Sequence, residues 1–115
     1  MRRGEIWLAD LDPVQGAEAN KRRPAVIVSN DRANARAAQL GRGVVTIVQV
    51  TSNVTRVLPF QVLLPADRTG LQVDSKVQAE QVRSVDVTRL SVRIARVPPS
   101  LVSELDDALR LHLDL

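Results

Sequence analysis

Short runs rich in Val and Ile, bounded by Gly, Pro and Asn, recur along most of the chain, whereas helical spacing appears in only two stretches. That pattern predicts a body built of β-strands. Gly4 to Leu11 alternates, with Ile6 and Leu8 on one side and Glu5, Trp7 and Ala9 on the other, as in a half-buried first strand. Trp7 then belongs at an edge or a partner surface. Pro24 to Ser29 reads as a short buried strand, and the continuous run Val44 to Val50 as the central one, delivering Thr51, Ser52 and Asn53 at the sheet's end. Phe60 to Leu64, Lys76 to Val85 and Val92 to Val97 complete the strands.

Asn30 or Asp31 can cap an Ala-rich helix over Arg32 to Leu40, which Gly41 and Gly43 end. Pro99 suits the first position of a terminal helix. Leu101, Leu105, Ala108, Leu109 and His112 form its apolar face, while Leu111 and Leu115 fall outside the stripe. Asp106 and Asp107 are read on its exposed face. Between these elements, Asp10 to Arg23 has no periodicity and strong turn chemistry, an unusual length for a small domain and a candidate site wall. Pro65 to Val73 reads as turns. The sum is mainly β: five or six strands, one short helix and a terminal helix, forming a small barrel or a strongly twisted sheet.

The length of 115 residues suits one domain, 1–115, with a single core and no need of staples. Zero cysteine excludes thiol catalysis and zinc-thiolate or iron-sulfur sites and fits a reducing compartment. With no apolar run of about 18 residues, no membrane span is expected, and the cytoplasm is the default location. The net charge of +3 is uneven: residues 1–100 carry 15 bases against 9 acids, whereas 101–115 carry one against four. Fourteen of the 16 bases are arginine, which suits bidentate contacts to phosphate or carboxylate, although a GC-rich genome enriches arginine too. Trp7 and Phe60 are the only aromatic residues, too few for a base-stacking platform.

One histidine, His112, and no tyrosine rule out RNA cleavage by paired imidazoles. The acids are scattered without ligand spacing, so no metal or other cofactor is expected, and Gly41-Arg42-Gly43 lacks the lysine and helix start of a phosphate loop. What remains are arginines and hydroxyls at strand ends: Arg22 and Arg23, then Thr51, Ser52 and Asn53 with Arg56, then Glu80, Gln81 and Arg83. Such groups suit an anionic substrate. Taken alone they equally suit a solvated edge, an end-of-strand hydroxyl and a Glu80–Arg83 surface pair.

Three ordered blocks add specificity. Arg3-Gly4-Glu5-Ile6-Trp7 with Asp12-Pro13, Gly16-Ala17-Glu18 and Arg23-Pro24-Ala25-Val26-Ile27-Val28-Ser29-Asn30-Asp31 resembles the MazF/PemK family of toxin endoribonucleases. Val50-Thr51-Ser52-Asn53 and Glu80-Gln81-Val82-Arg83-Ser84 resemble two further family segments in register; Gln49 departs from the proline of many members. The resemblance covers essentially the whole chain. It implies an SH3-like antiparallel barrel acting as a homodimer, and a toxin that cuts single-stranded RNA at short specific sequences without metal, leaving a 2′,3′-cyclic phosphate and a 5′-hydroxyl.

By matching position, Arg23 and Thr51 would be the catalytic pair, Glu18 a loop acid of the site and Gln81 a substrate contact. Asn20, Ser52, Asn53, Arg56 and Arg83 are added as substrate-binding residues from their placement beside those motifs. A neutral guanidine at pH 7 costs roughly 7 kcal/mol in general, so the arginine is assigned to charge stabilisation; activation of the 2′-hydroxyl is left open between Glu18, the carboxylate reached by elimination, and a substrate-assisted or water route. The implied partners are RNA and a MazE-like antitoxin with an acidic or amphipathic tail, with Trp7, Leu111 and Leu115 as dimer-interface candidates. Substrate sequence would be read by the loops 10–22, 52–59 and 65–74. Two rivals share the fold: a gyrase poison of the CcdB type, whose Trp-Gly-Ile ending is missing from His112-Leu113-Asp114-Leu115, and a catalytically inactive RNA-binding module.

Overall fold

In the computed structural model, which describes residues 1–11 and 22–115, the chain forms strands β1 (Glu5–Asp10), β2 (Arg22–Ile27), β3 (Val44–Thr51), β4 (Gln61–Leu64), β5 (Ser75–Asp86) and β6 (Leu90–Arg96). Helices α1 (Asp31–Leu40), the single turn α2 (Ala66–Thr69) and α3 (Pro99–Leu113) complete it. The strands make one antiparallel sheet in the order β4-β5-β3-β2-β1-β6. β3 is interior, as its largely apolar run predicts, and both its faces are covered. Val48 and Val50 join one core cluster, Val45 and Ile47 the other.

The sheet stays open rather than closing into the expected barrel: β4 and β6 are its edges and do not pair with each other. The physical reason lies in α3. Leu101, Leu105 and Ala108 bury against Val62, Leu64 and Val77, so a helix packed on β4 and β5 covers that face where strand pairing would otherwise have to. The other cluster gathers Ala9, Leu11, Ala25, Ile27, Ile47 and Val85 beneath Ala37 of α1.

Local chemistry explains the helix ends. Asn30 Oδ1 accepts the Ala33 N–H at 2.9 Å, and Gly41 closes α1 in a left-handed conformation at φ 67°. Asn34, fully buried, donates to the Ser29 carbonyl and accepts the Ser29 hydroxyl, and that hydroxyl oxygen in turn accepts the Thr46 amide. The turn region 65–73 contains α2, whose four residues carry no readable period. Two expectations for α3 change. His112 is exposed, with its ring 6.2 Å from that of Phe60, because the end of the helix outruns the buried stripe. Asp106 is no free surface acid: Arg3 Nη2 donates to it at 2.6 Å while Arg3 Nε donates to the Val28 carbonyl.

Glu5 is buried and ties β1 to β6, accepting from the Arg2 amide (2.9 Å), Trp7 Nε1 (3.1 Å) and Arg93 Nη1 (3.2 Å). Burial alone would raise its pKa, but these donors outweigh it and hold the carboxyl below its ordinary value of 4.5. A pKa lower in the folded than in the unfolded state means that this stabilisation is complete above the unfolded value and is lost as the pH falls through the folded one. Glu5→Gln is therefore expected to lose about 1–3 kcal/mol at pH 7. Urea titrations should show the gap from wild type shrinking below about pH 4; a gap independent of pH would refute the charged role.

Candidate active site

The β2–β3 ladder pairs Ile27 with Ile47, Val26 with Val48 and Ala25 with Gln49. Continuing that register by two residues sets Arg23 opposite Thr51, both still within their strands. There the strands part: Arg23 is paired to Ala9 of β1 and Thr51 to Lys76 of β5. A crevice of about 860 Å³ occupies these strand ends, lined by Arg22, Arg23 and Pro24, by Val50, Thr51 and Ser52, and by Leu8, Ile94, Ser75 and the segment Gly70–Val73. Leu8, Pro24, Val50, Leu71 and Ile94 supply its apolar surface, while the arginines and hydroxyls supply polar groups.

Arg23 is exposed and Thr51 half-buried. Among the described residues, Arg22, Arg23, Arg56 and Arg83 are in no ion pair, which leaves positive charge at the crevice and along the neighbouring strand. Alternation places Arg23, Gln49 and Thr51 on the sheet face of Ala25, Ile27 and Ile47, opposite that of Leu8, Pro24 and Val50, so the crevice draws on both faces where the strands end; Arg83 is the direct partner of Ile47 on β5. An arginine and a threonine that line one half-apolar crevice can hold a phosphodiester and supply hydrogen bonds to its oxygens.

The crevice thus gathers Arg23, Thr51 and Ser52. Asn53, Arg56, Gln81 and Arg83 do not line it. Asn53 is engaged in its own loop, its amide donating to Thr51 Oγ1 at 3.2 Å and its side-chain oxygen accepting from the Thr55 amide at 3.3 Å. Gln81 and Arg83 are exposed on β5, where the ladder to β3 shifts between Val48 and Val50. Glu80 does not pair with Arg83; its Oε2 accepts from Gln61 Nε2 at 2.6 Å on β4. Glu18 and Asn20 lie outside the described residues. Sequence reasoning missed Leu8 and Ile94 as walls, since each looked like an ordinary strand position, missed Ser75, which fell between the expected turns and the strand from Lys76, and missed Lys76 itself, which is buried and is the ladder partner of Thr51. Among the described residues, no three His, Asp or Glu side chains gather as a metal site would require, and no helix is long and apolar enough to cross a membrane.

Comparison with known proteins converges on one family. The chain is 64% identical over 115 residues to endoribonuclease MazF9 of Mycobacterium tuberculosis, covering 100% of this chain and 98% of that relative. In three dimensions it matches MazF from Deinococcus radiodurans at TM-score 0.76 and 28% identity, covering 100% of this chain and 97% of that one. The MazE-MazF complex of that organism matches at TM-score 0.75 and 25% identity, covering 100% and 96%. Residues 2–113 match the family described as the PemK-like, MazF-like toxin of type II toxin-antitoxin systems, and to that family the chain belongs.

Proposed function

We propose that this endoribonuclease toxin cuts single-stranded RNA at specific sequences without a metal ion, by attack of a 2′-hydroxyl on the adjacent phosphodiester. The 2′-oxygen bonds to phosphorus and the bond to the 5′-oxygen breaks, leaving a 2′,3′-cyclic phosphate and a 5′-hydroxyl. Arg23 stabilises the charge that builds on the phosphorane-like transition state and hydrogen-bonds the departing 5′-oxygen, which takes its proton from solvent. Thr51 donates to a nonbridging oxygen. Glu18 accepts the 2′-hydroxyl proton. Ser52 of the crevice, together with Asn20, Asn53, Arg56, Gln81 and Arg83, binds flanking nucleotides.

The observation that carries this reading is the crevice lined by both Arg23 and Thr51, with no acid paired to that arginine among the described residues. Residues 1–115 act as one toxin domain, in a homodimer, and a MazE-like antitoxin neutralises it; the MazE-MazF complex of the Deinococcus relative supports such a partner. Incubating purified protein with mixed-sequence RNA in chelator tests the chemistry. Discrete cuts bearing 5′-hydroxyl and cyclic phosphate ends are expected. Intact RNA, or cleavage only after divalent metal is restored, overturns the proposed mechanism.

A further inference from the structure

Lys76 is the only buried cation among the described residues, 8% exposed, and the cleavage mechanism makes no use of it. It forms no ion pair among those residues. Its Nζ donates instead to the backbone carbonyl of Arg56 at 2.5 Å, a contact spanning 20 positions of sequence. An apolar side chain would be buried there at lower cost, so the ammonium's distinctive contribution is to grip that carbonyl. The grip falls at a telling place. Lys76 is the ladder partner of Thr51, and its neighbour Ser75 lines the crevice.

The segment from Ser52 to Leu58 leaves the end of β3 and, among the described residues, its other hydrogen bonds join near neighbours. Those run from the Asn53 amide to Thr51, from the Thr55 amide to Asn53 and from the Leu58 amide to Gln61 Oε1 at 3.0 Å. Among the described residues, Lys76 alone anchors the middle of that loop to the sheet by a side chain distant in sequence.

We propose that Lys76 is a positioning residue for RNA cleavage: its buried ammonium fixes the 52–58 loop beside Thr51 and thereby sets which nucleotides the crevice accepts. The inference rests on the proposed cleavage activity. It is tested in the full-length protein with Lys76→Met, comparing single-turnover cleavage of a preferred RNA with RNAs changed at one base within the recognised sequence. Cleavage of the preferred RNA is expected to fall by about tenfold or more, the scale of one charge-assisted hydrogen bond, while the altered RNAs lose less and discrimination narrows. A purely structural role would lower every rate by the same folded fraction and leave the ratio unchanged. A discrimination ratio within about twofold of wild type overturns the proposal. Should the methionine variant fail to fold, Lys76→Gln, polar but too short to reach the carbonyl, supports the same comparison with the same two outcomes. Wild-type protein that leaves RNA uncut removes the cleavage reading and this inference together; wild-type cleavage with an unchanged ratio removes this inference alone.

Discussion

Arg23→Ala is expected to lower single-turnover RNA cleavage by at least about a hundredfold while leaving thermal unfolding nearly unchanged. The two halves of that result have separate origins. The side chain is exposed and in no ion pair among the described residues, so its removal costs little folding energy. A donor aimed at developing phosphoryl charge, in a crevice half lined by apolar groups, contributes mainly to the transition state. Arg23→Lys should recover only part of the rate, because an ammonium is a point charge without the planar two-pronged donor face. Wild-type single-turnover rates in the alanine variant, with circular dichroism unchanged, would remove Arg23 from the mechanism.

Leu105→Ala is expected to cost about 3 kcal/mol, lowering the unfolding midpoint by roughly 10–20 °C. Leu105 is 1% exposed, at the centre of the stripe that lays α3 on β4 and β5. Truncation removes buried methyl groups and leaves a cavity that a helix pinned on both sides, by Leu101 and Ala108, closes poorly. Since the helix covers a face of an open sheet, the loss exposes sheet as well as helix. Ser103→Ala, on the exposed side of the same helix, should stay within about 0.5 kcal/mol of wild type. Similar midpoints for the two variants in differential scanning calorimetry would show that α3 is not holding the core.

Arg23 and Leu105 both belong to patterns visible in the amino-acid order, but not every element is equally legible there. The strand over 44–50 and the helix after Asn30 follow from hydrophobic period and capping chemistry, and the structure places both within a residue or so of where those rules put them. Whether the sheet closes was not readable, since the pattern fits a barrel or a twisted sheet equally well. Whether an antiparallel sheet closes depends on whether its two edge strands meet, and nothing within β4 or β6 encodes the distance between them. His112 shows a related limit, since helical spacing assigns a face but not the point where the sheet beneath it ends.

The candidate site divides along the same line. The crevice residues Arg23 and Thr51 stand at strand ends next to apolar runs, so their abrupt polarity marked them. Lys76 carries no such mark: lysine usually reads as solvated surface, and only the ladder to Thr51 and the distant Arg56 carbonyl give it meaning. Glu5 was equally opaque, because its partner Arg93 lies 88 residues away.

The crevice draws its wall from Leu8 near the start of the chain to Ile94 near its end. A ribosome that stalls or terminates before β6 therefore releases a polypeptide lacking one side of the cleft, along with the strand that flanks β1. Truncation before β6 is therefore expected to leave the cleft without its Ile94 wall and β1 without its outer neighbour.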